Sequence, residues 1–472
     1  MDSTVAQTFC LLLEPFRSLF TAPSFQNFVV LISGWILCVG RHTTTRILQA
    51  SGAATGPKHH SVFYRFFSRA VWDGDALGKV LVGLILPWIP GVRVYASVDD
   101  TLCRKSGPQL WGGAMHHDPL LSTYGRGRQR RVVLRFGHNW VVLGLWVPLP
   151  WNPERGMSLP VLFRLYRSPK RCPAGLYRKR TELAVEMVRI LASWLPPDRE
   201  LMVVGDAEYA CQTLVKALPP QVHFIGSMNM KAACYDLPPV QQGRGRRRKK
   251  GAPLPSPRQL AADPAIPWQT WCLQLYGRPV RLLVKTQCGL WYRVAGIRPL
   301  LMMVTRDPRG YLEDRAFFTT DTTLGVAGLA QGVARRWPQE VMHREVKQHL
   351  GLEDPQNGWW RRTKGHRRPP KQAGPQPHDH RGQRAVERTV PLAFMTYSLV
   401  ALWYFQHGVV EEDVRRARAQ APWYRQKREP SFADMLYAAR RAWWQARIFE
   451  QPALQPLSAK IVALFPEWLL AG

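Results

Sequence analysis

Val92-Arg93-Val94-Tyr95-Ala96-Ser97-Val98-Asp99-Asp100-Thr101 is the stretch that decides the fold. Val92–Val98 reads as a short buried strand that runs straight into a pair of carboxylates. Leu201-Met202-Val203-Val204 is a second such run, and it ends in Gly205-Asp206-Ala207-Glu208-Tyr209. In α/β sheets, chemistry sits just past the C-terminal ends of buried strands, where Asp99 and Asp206 both fall. Two aspartates and one further carboxylate suit magnesium, which takes oxygen ligands and leaves room for substrate phosphates.

The third carboxylate lies in Arg335-Arg336-Trp337-Pro338-Gln339-Glu340-Val341-Met342-His343-Arg344-Glu345-Val346-Lys347-Gln348-His349-Leu350-Gly351. The spacing predicts a helix opened by Pro338 and closed by Gly351. Glu340, His343 or Arg344, and Lys347 then share one face. That face suits a metal ion beside a phosphate backbone, and it equally suits a solvated Glu–Lys surface.

The order Asp-x-Thr, Gly-Asp-Ala-x-Tyr, Arg-x3-Glu-x6-Lys resembles the DDE transposases of bacterial insertion sequences. Within them it is most similar to the group with a Tyr-x2-Arg-x3-Glu-x6-Lys signature. Arg336, Glu340 and Lys347 fall on that spacing, and Leu350–Gln356 also resembles the family. The resemblance runs from about Pro15 to the C-terminus. It implies that Asp99, Asp206 and Glu340 form a catalytic triad holding two Mg2+ ions, with Mn2+ as a substitute. It further implies DNA as partner, both transposon ends and target, with a homodimer in the DNA complex. Three departures stand out: Val333 replaces the signature Tyr, His343 an aromatic, and Pro338 falls between the signature Arg and Glu.

Composition points to the same partner. The 472 residues carry 65 Lys and Arg against 33 Asp and Glu, a formal charge of +32, which predicts a polyanionic partner, most simply DNA. A hydrophobic content of 46% with 19 Trp argues for packed cores, in two or three domains. Eight scattered Cys without a C-x-x-C pair speak against a zinc ribbon or a disulfide framework and for a reducing cytoplasm. The N-terminus reads as lacking a signal peptide, and the apolar runs read as core helices, with no membrane partner. The expected setting is the bacterial cytoplasm, at the nucleoid.

In chain order, residues 1–90 read as helices with Arg, Thr, Ser and His at their starts. They are either a DNA-end-binding module or a helical cap. Residues 91–228 read as α/β, with strands at Arg131–Phe136 and Trp140–Pro148, helices Lys179–Leu195 and Tyr209–Leu218, and a strand Val222–Ser227. Three strands, a helix, then a further strand is the order of a ribonuclease-H-like core. His116-His117-Asp118 reads against a metal site, because adjacent side chains point to different sides.

Residues 229–322 hold a basic run and a β-rich insertion with strands at Trp271–Tyr276, Val280–Thr286, Leu290–Val294, Leu300–Thr305 and Ala316–Thr319. Arg246, Arg247, Arg248, Lys249 and Lys250 in that run are either a solvated loop or phosphate contacts. Residues 323–356 carry the Glu340 helix, 357–390 read as a basic linker, and 391–472 as helices at Pro391–Phe405 and Phe432–Phe449. Arg440, Arg441 and Arg447 beside Trp443 and Trp444 suggest either base stacking or a buried Trp edge.

The expectation is therefore an α/β protein: a ribonuclease-H-like catalytic core interrupted by a β-rich insertion, with helical N- and C-terminal regions. Its expected function is a DNA transposase. The alternatives are a ribonuclease-H-like DNA nuclease without strand joining, or a catalytically decayed DNA-binding protein.

Overall fold

A computed structural model of the chain describes residues 5–106, 110–122, 131–173, 175–240, 246–354 and 380–449. Among the described residues, ten strands form one mixed sheet. They are β1 (Arg93–Arg104), β2 (Ala114–His117), β3 (Leu134–Leu149), β4 (Asn152–Tyr166), β5 (Glu200–Gly205), β6 (Val222–Met228), β7 (Gln269–Leu275), β8 (Arg278–Gly289), β9 (Leu300–Arg306) and β10 (Arg315–Thr319). The order across the sheet is β2-β3-β1-β5-β6-β10-β9-β8-β7, with β4 paired to β3. β1, β3 and β4 are antiparallel neighbours, whereas β5 and β6 run parallel to β1. The helix α6 (Arg180–Trp194) connects β4 to β5. This is the ribonuclease-H-like arrangement read from the sequence.

Several expectations change. β1 does not stop at Val98 but continues through Asp99 and Asp100, because β3 pairs with it as far as Arg104 opposite Gly137. Arg131–Phe136 and Trp140–Pro148 merge into one long strand, β3, which begins at Leu134. Its partner β4 carries Pro153, Gly156 and Pro160, which disguise it as a loop. Pro160 is tolerated where the register slips, between the pairs Leu143–Leu162 and Gly144–Pro160.

The insertion is not a separate unit. β10 pairs antiparallel with β6, and β9, β8 and β7 follow outward, so these strands extend the catalytic sheet. Leu290–Val294, expected as a strand, instead holds the helical turn Tyr292–Ala295. The expected Tyr209–Leu218 helix shortens to Gln212–Val215.

The N-terminal helices are α1 (Val5–Leu13), α2 (Ala22–Leu37), α3 (Thr44–Ser51), α4 (Ser61–Ser68) and α5 (Gly74–Ile85). After β10 come α7 (Gly325–Ala334) and α8 (Trp337–His349), then α9 (His380–His407), α10 (Val410–Gln420) and α11 (Phe432–Phe449). Both terminal regions belong to one hydrophobic core. Phe9 packs edge-on to Trp443 at 5.6 Å, and Trp403 Nε1 donates to Thr8 Oγ1 at 3.1 Å. Residues 5–90 are therefore packed against the C-terminal helices as a cap, whatever else they bind.

α9 begins at His380, inside the stretch read as a linker, and carries Pro391 in its interior. Arg388 explains why the basic end of that stretch is ordered: its guanidinium donates to the carbonyls of Phe67, Ala70 and Trp72. The rest of the expected linker, residues 357–379, lies outside the described residues. Arg440 likewise turns inward, donating to the carbonyls of Ile36 and Cys38 at the end of α2, both at 2.7 Å. Arg441 pairs with Asp413 and Trp443 is buried, so the structure takes the buried reading for these residues, while Trp444 stays exposed. The side chain of Arg447 lies outside the described residues. No described helix is long and apolar enough to cross a membrane.

The turn after α8 is the pin of the assembly. Trp35 Nε1 donates to Leu350 O at 2.9 Å, Asp354 Oδ2 accepts from His42 N at 2.8 Å, and Glu353 Oε1 accepts from Arg104 N at 2.8 Å. Buried Lys105 donates to Glu353 O at 2.8 Å, and burial pushes its ammonium down to about 8. Gly351 makes the turn possible at φ +56, where a Cβ would lie 2.3 Å from Asp354 Oδ2 and 2.7 Å from His42 Cβ. Gly351→Ala is expected to lower the thermal midpoint, with about 1–2 kcal/mol from the left-handed backbone alone. Circular-dichroism melts check this; an unchanged midpoint would show that the turn relaxes freely.

Candidate active site

Parallel pairing of β1 with β5 ends at Val98 opposite Gly205. Asp99, still paired to β3, and Asp206, the first residue past β5, come next, so the two carboxylates are neighbours where the parallel pairing ends. Asp206 starts a turn, its Oδ1 accepting from Glu208 N at 2.8 Å and Tyr209 N at 3.2 Å. The Asp99 carboxyl is pushed up to about 7, first by burial, then by the charges of Asp100 and Asp206; the Asp100 backbone N–H and Arg336 oppose the rise.

α8 lies over this pair. Ser97 Oγ donates to Arg335 O at 3.4 Å just before the helix, and Lys347 Nζ donates to Leu102 O at 2.8 Å near its end. Those two contacts straddle Asp99 on β1. Between them, buried Gln339 donates to Val142 O at 3.2 Å and meets Ser158 Oγ. Gly144 leaves the space for this, since a Cβ there would lie 2.7 Å from Gln339 Oε1. Gln339 was not among the sequence candidates; its type and place in a helix carry no signal of a cross-strand pin.

Glu340 follows Gln339 and faces Arg336, whose Nη2 meets Glu340 Oε1 at 2.5 Å while its Nη1 lies 3.7 Å from Asp99 Oδ2. One guanidinium thus bridges the first and third expected ligands. Among the described residues, no three metal-ligating side chains are gathered tightly enough to hold an ion as they stand. The donor set nevertheless fits a divalent cation: hard carboxylate oxygens, two of them repelling each other, with a cation already bridging Asp99 to Glu340.

The other face of β1 holds a network that sequence reasoning missed. Asp100 accepts from Asn139 Nδ2 and Arg180 Nη1, both at 2.8 Å, and from Tyr209 Oη at 3.2 Å. Arg180 also pairs with Glu208 at 2.6 Å. This one side chain, at the start of α6, ties the residue after Asp99 to the residue two beyond Asp206. No local motif marks it, because its partners lie 80 and 28 positions away (180 − 100 and 208 − 180).

The remaining sequence candidates divide. Arg344 is exposed on α8, while His343 is buried, packs on Phe394, and is pushed down to about 3 by burial. Arg246, Arg247, Arg248, Lys249 and Lys250 are exposed, and Lys250 Nζ lies 3.8 Å over the Tyr235 ring. Residues 241–245 of that run lie outside the described residues. His116 is buried and His117 exposed on opposite sides of β2, while Asp118 pairs with Arg104 at 2.8 Å.

The sequence profile of the DDE superfamily endonucleases matches residues 15–278, more than half of the chain, including β1 and β5 with Asp99 and Asp206. The chain belongs to this family. A comparison with curated proteins gives no match. Members of the family act on DNA and generally use divalent metal ions.

Two outcomes follow for the DDE endonuclease. Arg180→Met should slow metal-dependent DNA cleavage by roughly 10–100-fold by letting the two Asp strands drift. Arg180→Lys should recover only part of the rate, since one ammonium does not fork across Asp100 and Glu208; single-turnover cleavage checks both. The second concerns Asp99, whose raised proton affinity makes its ionisation unfavourable to the fold. In chelator-treated protein that cost is absent below about pH 4, the unfolded carboxylate range, and complete above about pH 7. Asp99→Asn should therefore melt higher than wild type at pH 8, by about 1–3 kcal/mol of stability, with the advantage shrinking towards pH 5. A pH-independent difference would refute the assignment.

Proposed function

We propose that this DDE endonuclease is the transposase of an insertion sequence, which binds terminal inverted repeats and carries out metal-dependent strand cleavage and strand transfer. The observation that carries the reading is the neighbouring pair Asp99 and Asp206, with Glu340 joined to Asp99 through Arg336 on a helix fixed to β1 on both sides of Asp99. The signature spacing Arg336, Glu340, Lys347 and its flank add support.

In this reading Asp99, Asp206 and Glu340 would together hold two divalent ions. Mg2+, or Mn2+ in its place, supplies activation of the attacking oxygen and charge neutralisation at phosphorus. Arg336 exchanges its carboxylate partners for a phosphate, where its planar fork binds two oxygens at once. Lys347 keeps one N–H on Leu102 O and turns its remaining donors towards the DNA backbone. Exposed Arg344 and the Arg246–Lys250 run extend the phosphate track.

End recognition falls to the N-terminal helices, where Thr45 and Arg46 are exposed on α3 and His59, His60 and Arg65 around α4. These helices also act as a cap, so the two sequence readings are compatible. The assembly on DNA is proposed to be a homodimer at the nucleoid.

Asp99→Asn, Asp206→Asn and Glu340→Gln should each abolish cleavage and strand transfer of labelled element ends while leaving a footprint on those ends. Binding rests on many cations elsewhere, whereas ligation needs each carboxylate charge. Wild-type cleavage by any one variant would remove that residue from the triad, and cleavage without joining by the wild type would favour the nuclease reading.

A further inference from the structure

Residues 408–431 carry no part of the reading above, yet they form an unusual surface. Arg415–Arg428 holds six cations and no carboxylate within fourteen residues. Three of these arginines, Arg415, Arg418 and Arg428, converge on one groove of about 400 Å³ that is completed by Val410, Glu411 and Val414. Glu411, at the start of α10, is its sole acidic lining residue.

Beside this groove the short helical turn Pro422–Tyr424 presents Trp423 at 75% exposure and Tyr424 at 55%. The two rings lie 6.2 Å apart, edge to face. A Trp so open to water is costly to keep unless it meets a partner. The turn is also held firmly. Arg418 Nε donates to Lys427 O at 2.8 Å, Lys427 N donates to Tyr424 O at 2.9 Å, and Lys427 pairs with Asp434 at 2.5 Å.

Its position relates it to the site. Glu429, next to Arg428, binds Asn152 and Arg155 at the start of β4. Glu429 also lines a cleft of about 560 Å³ whose opposite wall is α8, with Trp337 and Arg344. Glu429 thus ties the chain just past Arg428 to the cleft beside the helix that carries Glu340.

We propose that the α10–α11 connection is a second DNA-binding surface, one that takes DNA with unpaired bases. Arg415, Arg418 and Arg428 hold the phosphate backbone in the groove, and Trp423 and Tyr424 stack on bases that have left the duplex. The proposal rests on the reading of this chain as an enzyme of DNA. It adds a selectivity that the carboxylate site does not supply: attachment to strands opened beside a cut.

The test uses the full chain in chelator, so that no strand is cut, with two fluorescent probes: a paired 30-mer duplex and the same duplex bearing an unpaired extension. Wild type should bind the extended probe more tightly. Trp423→Ala with Tyr424→Ala should weaken binding to the extended probe by about 5- to 100-fold, with little change on the paired duplex. Arg415→Gln with Arg428→Gln should weaken both and flatten the salt dependence by roughly two log–log units. Wild type without preference for the extension, or an aromatic variant that keeps that preference, overturns the proposal while the DNA reading stands. Wild type that binds neither probe overturns both.

Discussion

Like-charge crowding at the ends of two parallel strands is the constraint from which the rest of the site follows. Once Val98 pairs with Gly205, the next rung puts Asp99 beside Asp206, and Asp100 and Glu208 are drawn in by the chain itself. Repulsion between carboxylates a few ångströms apart is worth about a kcal/mol in water and several at a half-buried site. The fold answers with one guanidinium on each face of β1: Arg336 between Asp99 and Glu340, Arg180 between Asp100 and Glu208. The division has a consequence. The Arg180 face is closed, with Asp100 accepting from three donors, whereas Arg336 makes one close contact and one at 3.7 Å. The tight face fixes the strands and the looser face is the one that can exchange partners.

The helix above obeys the same economy. Lys347, which spacing alone would send to a phosphate, spends one N–H on Leu102 O, and Gln339 spends its amide on Val142 O. Both contacts are to backbone carbonyls of the sheet, so they fix the height of α8. His343, the departure from the aromatic pattern, is neutral at any physiological pH because burial holds its ring near 3. It packs on Phe394 as an aromatic would, which reconciles the departure with the expected environment.

What the sequence made legible was whatever is written locally. The strand-end aspartates, the proline and glycine bounding α8 and the α/β order all depend on neighbours within a few positions. What it hid depends on partners far away. Asp99-Asp100 looks like the end of a strand, and only β3, forty positions on, carries β1 past it. The basic stretch before Pro391 looks like a linker until Arg388 finds the carbonyls of Phe67, Ala70 and Trp72. Arg180 and Gln339 were invisible for the same reason: nothing in their own surroundings distinguishes them from ordinary helix residues. β4 was hidden by its prolines, which are tolerated because the strand has β3 on only one side and slips register at Pro160.

The insertion bears on the site through the sheet rather than through any contact with the carboxylates. Had the core ended at β6, the strand next to the Asp206 strand would be an edge, free to fray. β10 pairs with β6, and the open edge moves four strands further, to β7. α7 then packs under this extension, with Leu329 buried beside Ile225 of β6, and delivers the chain through Arg335 and Arg336 into α8. Arg335 is clamped there between the Tyr95 and Trp146 rings, at 3.9 and 4.3 Å. The residues between Asp206 and Glu340 therefore do more than separate two ligands in sequence. They stiffen the strand that carries one, and they set the entry point of the helix that carries the other.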